Sequence, residues 1–362
     1  MRPPLPALAA ILFLIPTAPA QTPTYSTQST LVLVPTLVTK KSGEPVFTLN
    51  ASDFTVIDDG VPQKITVEDN GGQPLALVVV VETGGAGATQ LANLHPLPSM
   101  LDNLIGNVPH QVAVVAFDST PHLFQEFTPN TDAAEDVLRS LQPGDSGAAI
   151  LDSLTFAVNL LRQQPPQYRR AILLVSETLD HGSYVSLPDA LRAVSDTNTA
   201  IYTLSFSSTR ADASDQAGKF FQPNTPGPAH GCMAKDPDNP ERTPGQTMSQ
   251  LYDCLSLLAP PLRAIKLATI AGMDSLRRDV PQSVARITGG EFYRFHDAKS
   301  IERDLVAISS HVPNRYLISF HPTSPHPGLH TLRVSLPGYN KLTLSARTNY
   351  WIDEPPAPRP AN

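Results

Sequence analysis

Short alternations of apolar and polar residues occur near both ends of this chain. These alternating segments are separated by turn residues such as Asp59-Gly60. Near the start of the chain they predict strands at 30–39, 54–60 and 63–67. The same pattern predicts strands at 315–320, 330–336 and 341–346 near the end. Three or four strands cannot close a core alone. We therefore expect both ends of the chain to pair into one β-sandwich.

Longer apolar runs alternate with amphipathic segments in the middle of the chain. They predict strands at 75–81, 111–117, 171–176 and 201–205, and helices at 93–105, 131–141, 149–163, 186–198, 276–288 and 299–309. Such alternation is typical of a doubly wound sheet with helices on both faces. The predicted fold class is α/β, a doubly wound, mainly parallel sheet inserted in a β-sandwich made from the N- and C-terminal segments.

The domain boundaries follow from these patterns. We expect a signal peptide at 1–20, an N-terminal β segment at 21–72, an α/β domain at 73–311, a C-terminal β segment at 312–350 and a Pro-rich tail at 351–362. A segment rich in Pro, Gly and Asn predicts an insertion at about 209–262 within the α/β domain.

The first residues have the order of a secretory signal. Arg2 precedes a short apolar core, and Ala18-Pro19-Ala20 provides small residues for cleavage, which would make Gln21 the first mature residue. We expect export to the periplasm or outside the cell, with no transmembrane segment in the mature chain. The alternative is an uncleaved N-terminal anchor.

The charge and the cysteine content limit the kinds of partner and the compartment to be expected. Only 16% of residues are charged and the net charge is -7, so nothing indicates a nucleic-acid partner. The two cysteines, Cys232 and Cys254, are expected to form a disulfide in an oxidising compartment. A pair of free thiols or a metal site is the alternative for them.

The strand Leu75–Glu82 ends in the small residues Thr83-Gly84-Gly85-Ala86. This junction resembles the von Willebrand factor A family, whose loop reads Asp-x-Ser-x-Ser and binds magnesium. Two further loops of that family supply a Thr and an Asp. The corresponding residues are Glu82, Gly84 and Ala86 in the first loop, Ala148 in the second and Glu177 in the third. Two acids thus persist as the longer Glu, and the three hydroxyls are missing.

The resemblance extends over about residues 30–350. It is nearest to family members from acidobacterial genomes, whose N-terminal segment has a Phe-x-Val-x-Asp-Gly-x-x-Gln stretch. The segment Phe-Thr-Val-Ile-Asp-Asp-Gly-Val-Pro-Gln-Lys at 54–64 is similar to it. Further matching segments lie at 112–118, 200–203, 287–292 and 314–323.

The resemblance implies a binding protein of the adhesion type. Magnesium requires near-ideal octahedral oxygen geometry, so we expect no tight Mg²⁺ binding. We expect recognition of a protein partner without an ion, with a glycan or peptide as the alternative ligand. The partner would contact the rim, defined as residues 82–87, 147–152 and 177–183. One alternative is a metal-dependent adhesion domain using Glu82 and Glu177. Another is a scaffold or assembly component of the cell envelope.

Catalysis and other metal sites find less support. No Gly-x-Ser-x-Gly motif, phosphate-binding loop or dinucleotide fingerprint occurs, so we expect no enzyme. His321, His326 and His330 lie close together in sequence and could bind a transition metal. Without a nearby carboxylate, we expect a solvated turn there instead.

Overall fold

The structure is a computed structural model that describes residues 31–68, 72–207 and 279–353. Its strands are β1 (Val32–Lys40), β2 (Thr55–Asp58), β3 (Val61–Pro62), β4 (Ile65–Glu68), β5 (Leu75–Glu82), β6 (His110–Phe117), β7 (Pro121–Thr128), β8 (Arg169–Glu177), β9 (Ala200–Phe206), β10 (Phe292–Arg294), β11 (Tyr316–Phe320), β12 (Gly328–Ser335), β13 (Leu342–Ala346) and β14 (Asn349–Ile352). Its α-helices are α1 (Gly87–Gln90), α2 (Pro96–Ser99), α3 (Leu101–Ile105), α4 (Thr131–Ser140), α5 (Ile150–Arg162), α6 (Leu187–Asp196), α7 (Val280–Thr288) and α8 (Ala298–His311).

The central sheet has the strand order β10-β9-β8-β5-β6-β7. All neighbours run parallel except β6 and β7, which are antiparallel. Every residue of β5 is buried because helices cover both faces of the sheet. Helices α2, α3, α4 and α8 pack on one face, and α5, α6 and α7 pack on the other.

Two antiparallel sheets form the sandwich, with the orders β13-β1-β11-β4 and β14-β12-β2-β3. Their strands come from both ends of the described chain, as the alternating patterns predict. Inward-facing residues such as Val34, Val56, Ile318 and Leu332 form its core. The predicted fold class, an α/β domain inserted in a sandwich, is confirmed.

Buried arginines join the sandwich to the α/β part. Arg347, just after β13, donates to the carbonyl oxygen of Leu33 in the sandwich and to Asn198 after α6. Arg315 pairs with Glu291 at 3.0 Å and also donates to the carbonyl oxygen of Gly289. These hydrogen bonds compensate part of the cost of burying the two guanidinium groups.

Some elements differ from the sequence-based prediction. The helix predicted at 93–105 is broken: a 3-10 turn at Leu91–Leu94 is followed by α2 and α3, because Pro96 and Pro98 cannot donate backbone hydrogen bonds. Strands β3, β7, β10 and β14 were not predicted. The last strand, β14, continues to Ile352, two residues beyond the predicted end of the C-terminal β segment at 350.

Several predictions fall outside the described residues. They are the signal peptide at 1–20, most of the insertion at 209–262, the Cys232–Cys254 pair and most of the tail at 351–362. The remaining domain boundaries stay predictions. In the described part of the chain, no helix is both long and apolar enough to cross a bilayer.

Candidate functional site

The rim lies where β5 and β8 end at the carboxyl edge of the central sheet. Parallel pairing sets these two strands side by side, so that Val81 lies opposite Val175, and the residues that follow are neighbours. Open α/β sheets carry their binding sites at this edge. The loop before α5 completes the group. The structure therefore brings together Glu82, Glu177 and Ala148, as the resemblance implies.

Glu82 is turned into the protein. Its side chain is buried, Oε1 accepts a hydrogen bond from Gly87 N at 3.0 Å, and Oε2 accepts one from Glu177 N at 2.7 Å. Burial is the main reason that the pKa of Glu82 is raised from 4.5 to about 8, and the charge of Glu177 adds to the rise, against the two backbone hydrogen bonds. Both oxygens of this carboxyl group thus connect β5 to its neighbours.

Gly87 permits this inward position of Glu82. A Cβ at residue 87 would lie 2.5 Å from the Glu82 carbonyl oxygen and 2.7 Å from Glu82 Cγ. Only a glycine therefore lets the first residue of α1 approach the acid closely enough to donate its N–H.

His181 contacts both Glu177, through its ring, and Ala148, through its backbone. The Glu177 carboxylate is buried, with Oε1 3.5 Å from His181 Nδ1. Ala148 is fully buried and exchanges two backbone hydrogen bonds with His181, at 3.1 and 3.2 Å. The position where the family has a threonine hydroxyl is therefore closed by backbone pairing between two loops.

Gly84 has no space for a side chain. A Cβ there would meet the Gly147 carbonyl oxygen and would lie 2.7 Å from Asp118 Cβ. Ala86, two residues later, is half-buried and packs against the core beneath the sheet. The serine of the family pattern at position 84 could fit only if the 147 loop moved away.

The off-register hydroxyls at this edge face inward. Thr83 Oγ1 donates to the Phe117 carbonyl oxygen at 3.1 Å, and Ser176 Oγ donates to the Glu177 carbonyl oxygen at 3.0 Å. These bonds stabilise the strand ends, and both hydroxyl-bearing side chains are buried.

Carboxylates of the rim loops accept hydrogen bonds from nearby groups. Asp152 accepts from the backbone of Tyr184 and Val185, and Asp180 accepts from Leu151 N and Ser183 Oγ. These hydrogen bonds make Asp152 and Asp180 capping residues of the rim loops.

The donor set does not fit a magnesium ion. Both oxygens of Glu82 are hydrogen-bonded to the backbone, and the positions of the three hydroxyls are Gly84, Ala86 and Ala148. Among the described residues, no group of three His, Cys, Asp or Glu side chains close enough to share an ion lies at this edge of the sheet. Since Mg²⁺ requires regular octahedral oxygen coordination, these residues cannot supply its first shell without rearrangement.

The comparison with known families agrees with the fold. Residues 78–179 match the von Willebrand factor type A domain. This segment runs from the middle of β5 to just beyond β8 and so contains all five predicted rim residues. No curated protein matches the chain in sequence.

Solved structures show low similarity. BatB from Bacteroides thetaiotaomicron is 12% identical with a TM-score of 0.39; the match covers 65% of this chain and 97% of that one. An aerotolerance-related membrane protein from Bacteroides fragilis is 13% identical with a TM-score of 0.36, covering 65% and 98%. The vWF domain of the type V pili tip protein Mfa5 from Porphyromonas gingivalis is 20% identical with a TM-score of 0.27, covering 30% and 39%. Similarity at this level says nothing about what the chain binds.

One exposed aromatic side chain stands next to the rim. Tyr184 directly follows the third rim loop, and 92% of its surface is exposed. Its backbone N–H is held by Asp152 Oδ2 at 3.0 Å, so the side chain projects from a fixed backbone position. The sequence pattern gave no reason to single out this tyrosine, because its exposure depends on how three separate loops meet.

The structure also separates the three histidines of the C-terminal loop. His326 and His330 stack with ring centroids 4.0 Å apart and lie beside Asp59, whereas His321 is not part of that cluster. The expectation that no carboxylate lies near these histidines is wrong. Sequence reasoning missed Asp58 and Asp59, because β2 and β12 come from opposite ends of the chain and only their pairing brings the residues together.

Proposed function

We propose that this chain is an exported, non-enzymatic protein that binds a protein partner through its rim without a bridging metal ion. The inward position of Glu82 carries the proposal, because the acid that begins the family's ion-binding loop here joins strands and a helix instead. We also infer that the rim is a degenerate form of the family's metal-ion-dependent adhesion site, in a chain nearest to acidobacterial members.

Tyr184 supports a protein as the partner. Exposed aromatic side chains on a rigid backbone lose little conformational entropy on binding and are enriched among the residues that dominate protein interfaces. Without an ion to bind an acidic ligand side chain, contact area and backbone hydrogen bonds of the rim must provide the affinity. Tyr184 supplies the largest exposed apolar surface next to it.

Isothermal titration with Mg²⁺ tests metal independence of the rim. We expect no saturable heat from the natural protein. The control restores the ligands of the family pattern with Glu82→Asp, Ala86→Ser, Ala148→Thr and Glu177→Asp, once with Gly84 kept and once with Gly84→Ser. Tight saturable binding by the natural protein would contradict the proposal and favour a metal-dependent adhesion domain that uses Glu82 and Glu177.

Partner binding is tested by cross-linking in the native envelope, with quantified capture. Tyr184→Ala should remove specific partners, whereas Phe47→Ala should retain them. Phe47 is a matched control because it is also an exposed aromatic residue, at 58%, and lies in the sandwich segment. An unchanged partner set in the Tyr184→Ala variant would refute the rim as the binding surface.

One observation favours the scaffold alternative. Strand β7 is an edge strand of the central sheet and exposes Leu123 and Phe124, by 37% and 53%. Exposed edges with apolar side chains can pair with another chain. If Phe124→Glu removes the captured partners while Tyr184→Ala retains them, an assembly role through β7 replaces the proposed function.

A further inference from the structure

Two histidines and an aspartate meet at one end of the sandwich. Asp59 lies in the turn between β2 and β3, His326 in the loop before β12, and His330 within β12. One potential ligand atom from each lies within 4.8 Å of the other two. A second carboxylate, that of Asp58, is buried beside them.

The hydrogen bonds of His330 indicate where its protons lie. His330 is fully buried, and its Nε2 lies 2.7 Å from the His326 carbonyl oxygen, which can only accept a hydrogen bond. Nε2 must therefore carry a proton. In the neutral ring, Nδ1 then presents a lone pair. It lies 2.8 Å from Asp59 Oδ2 and 3.4 Å from Asp58 Oδ1, and it forms no hydrogen bond to either.

His326 shows the same arrangement with its nitrogens exchanged. Its Nδ1 lies 3.2 Å from the Pro327 carbonyl oxygen, and its Nε2 lies 3.2 Å from Asp59 Oδ2. A neutral ring that donates through Nδ1 directs the Nε2 lone pair at the carboxylate. With that tautomer of His326, two lone pairs and an anionic oxygen converge, and a cation would satisfy all three. With the other neutral tautomer, His326 Nε2 donates to Asp59 Oδ2, and only the lone pair of His330 Nδ1 faces the carboxylates.

In each of the two aspartates, one carboxylate oxygen accepts a hydrogen bond and the other lies near His330. Asp59 Oδ1 accepts from Thr331 N at 2.9 Å, while Oδ2 faces the histidines. Asp58 Oδ2 accepts from the Tyr350 hydroxyl at 2.7 Å, while its buried Oδ1 has no hydrogen bond. Outer hydrogen bonds of this kind orient the ligands in metal sites.

We propose that Asp59 Oδ2, His326 Nε2 and His330 Nδ1 bind one divalent transition-metal ion of the zinc class, with the carboxylate of Asp58 next to the site, 3.4 Å from His330 Nδ1. Neutral imidazole nitrogen with carboxylate oxygen suits Zn²⁺ rather than Mg²⁺. Ligand atoms around a tetrahedral zinc ion lie roughly 3.4 Å apart. Asp59 Oδ2 lies 2.8 Å from His330 Nδ1 and 3.2 Å from His326 Nε2, close to that spacing. The two imidazole rings are stacked with an interplanar angle of 21°, so the exposed ring of His326 must turn for both nitrogens to point at one ion.

The site would connect two segments that are distant in sequence, the β2–β3 turn and the loop between β11 and β12. Gln63, just after β3, and Thr323, in that loop, already exchange hydrogen bonds. The competing explanation is an extra proton on His330, which would form an ion pair with the aspartates. A metal titration separates the two, because a protonated imidazole is not a ligand.

The experiment uses the full mature chain, free of affinity tag and stripped of metal with a chelator. Zn²⁺ is titrated by calorimetry, and Co²⁺ is followed by its visible absorption. We expect one saturable site and a Tm that rises by about 5 °C with zinc at a hundredfold excess over Kd. Mg²⁺ should produce neither effect.

Two accessible positions provide the variants. His326→Ala changes an exposed side chain, and Asp59→Asn keeps an acceptor for Thr331 N and tolerates the φ of 45° at that position. Each should weaken zinc binding at least tenfold and abolish the zinc-dependent rise in Tm. His321→Ala, in the same loop but outside the cluster, should bind zinc like the natural chain.

Two results would overturn the proposal. One is the absence of saturable zinc or cobalt binding in the natural chain, which would leave the ion pair as the explanation. The other is zinc binding that is unchanged in both His326→Ala and Asp59→Asn, since the ion would then bind elsewhere. Circular dichroism and the Tm of each metal-free variant check that the sandwich is still folded.

Discussion

The buried carboxyl group of Glu82 should make stability depend on pH. The fold raises its pKa from 4.5 to about 8. Below the lower pKa, the carboxyl group of Glu82 is protonated in both the folded and the unfolded state. Between the two values, the unfolded chain loses the proton while the folded chain keeps it, so stability falls as pH rises. At about 1.4 kcal/mol per pH unit, this single group lowers the free energy of unfolding by about 5 kcal/mol across that range.

The substitution Glu82→Gln removes the ionisation and keeps the shape. The amide offers one acceptor where the carboxyl group offers two, so the hydrogen bond from either Gly87 N or Glu177 N is lost. That loss costs about 1 to 3 kcal/mol at every pH. The variant should therefore be less stable than the natural protein near about pH 5 and more stable above about pH 8, and the two stability profiles should cross.

Urea unfolding followed by circular dichroism at a series of pH values measures both profiles. Glu126→Gln is the control, because Glu126 is exposed on β7 and the same chemical change there should leave the pH dependence as in the natural chain. Parallel profiles for the natural protein and Glu82→Gln would refute the reasoning, since Glu82 would then ionise in the fold as it does in the unfolded chain.

Two further substitutions test the packing around the site and the contact between domains. Gly84→Ala should lower the free energy of unfolding by about 2 kcal/mol, because the new methyl group meets the Gly147 carbonyl oxygen; unchanged stability in urea would contradict this close approach. Burial lowers the pKa of His311, but the hydrogen bond and charge of Glu291 outweigh burial and raise it. His311→Gln should therefore lower the free energy of unfolding by about 2 kcal/mol near pH 6 and by less near pH 9. An equal loss of stability at both pH values would contradict this ion pair.

In the central sheet, the sequence predicted the strands that are buried on both faces and missed the two edge strands, β7 and β10. The apolar run of β5 has one reasonable interpretation, because seven consecutive buried residues suit only a central strand. Strand β7 begins at a proline and exposes its adjacent Leu123 and Phe124, so it lacks the alternation that identifies a half-buried strand. The prolines at 96 and 98 divided a segment whose apolar spacing alone indicated one helix.

The candidate site was predictable in position but not in detail. The resemblance located Glu82, Ala148 and Glu177 on adjacent loops. The inward direction of the Glu82 carboxyl group depends on the close approach of Gly87, and no local pattern encodes that approach. The Asp59–His330 contact depends on the register between β2 and β12, which is set by pairing across the whole chain.

The pairing of the first strand has a consequence for biosynthesis. Within its sheet, β1 contacts only β11 and β13, and β4 contacts only β11. The N-terminal strands therefore have no partners in that sheet until the last part of the chain has been made. During synthesis, β1 therefore stays unpaired in that sheet and exposes the apolar residues Val32, Val34 and Val38. The α/β part, which lies between the N- and C-terminal strands in sequence, can already fold at that stage. Closure of the sandwich thus requires that translation has passed β11 and β13, and a product that stops before β11 carries an exposed strand open to aggregation.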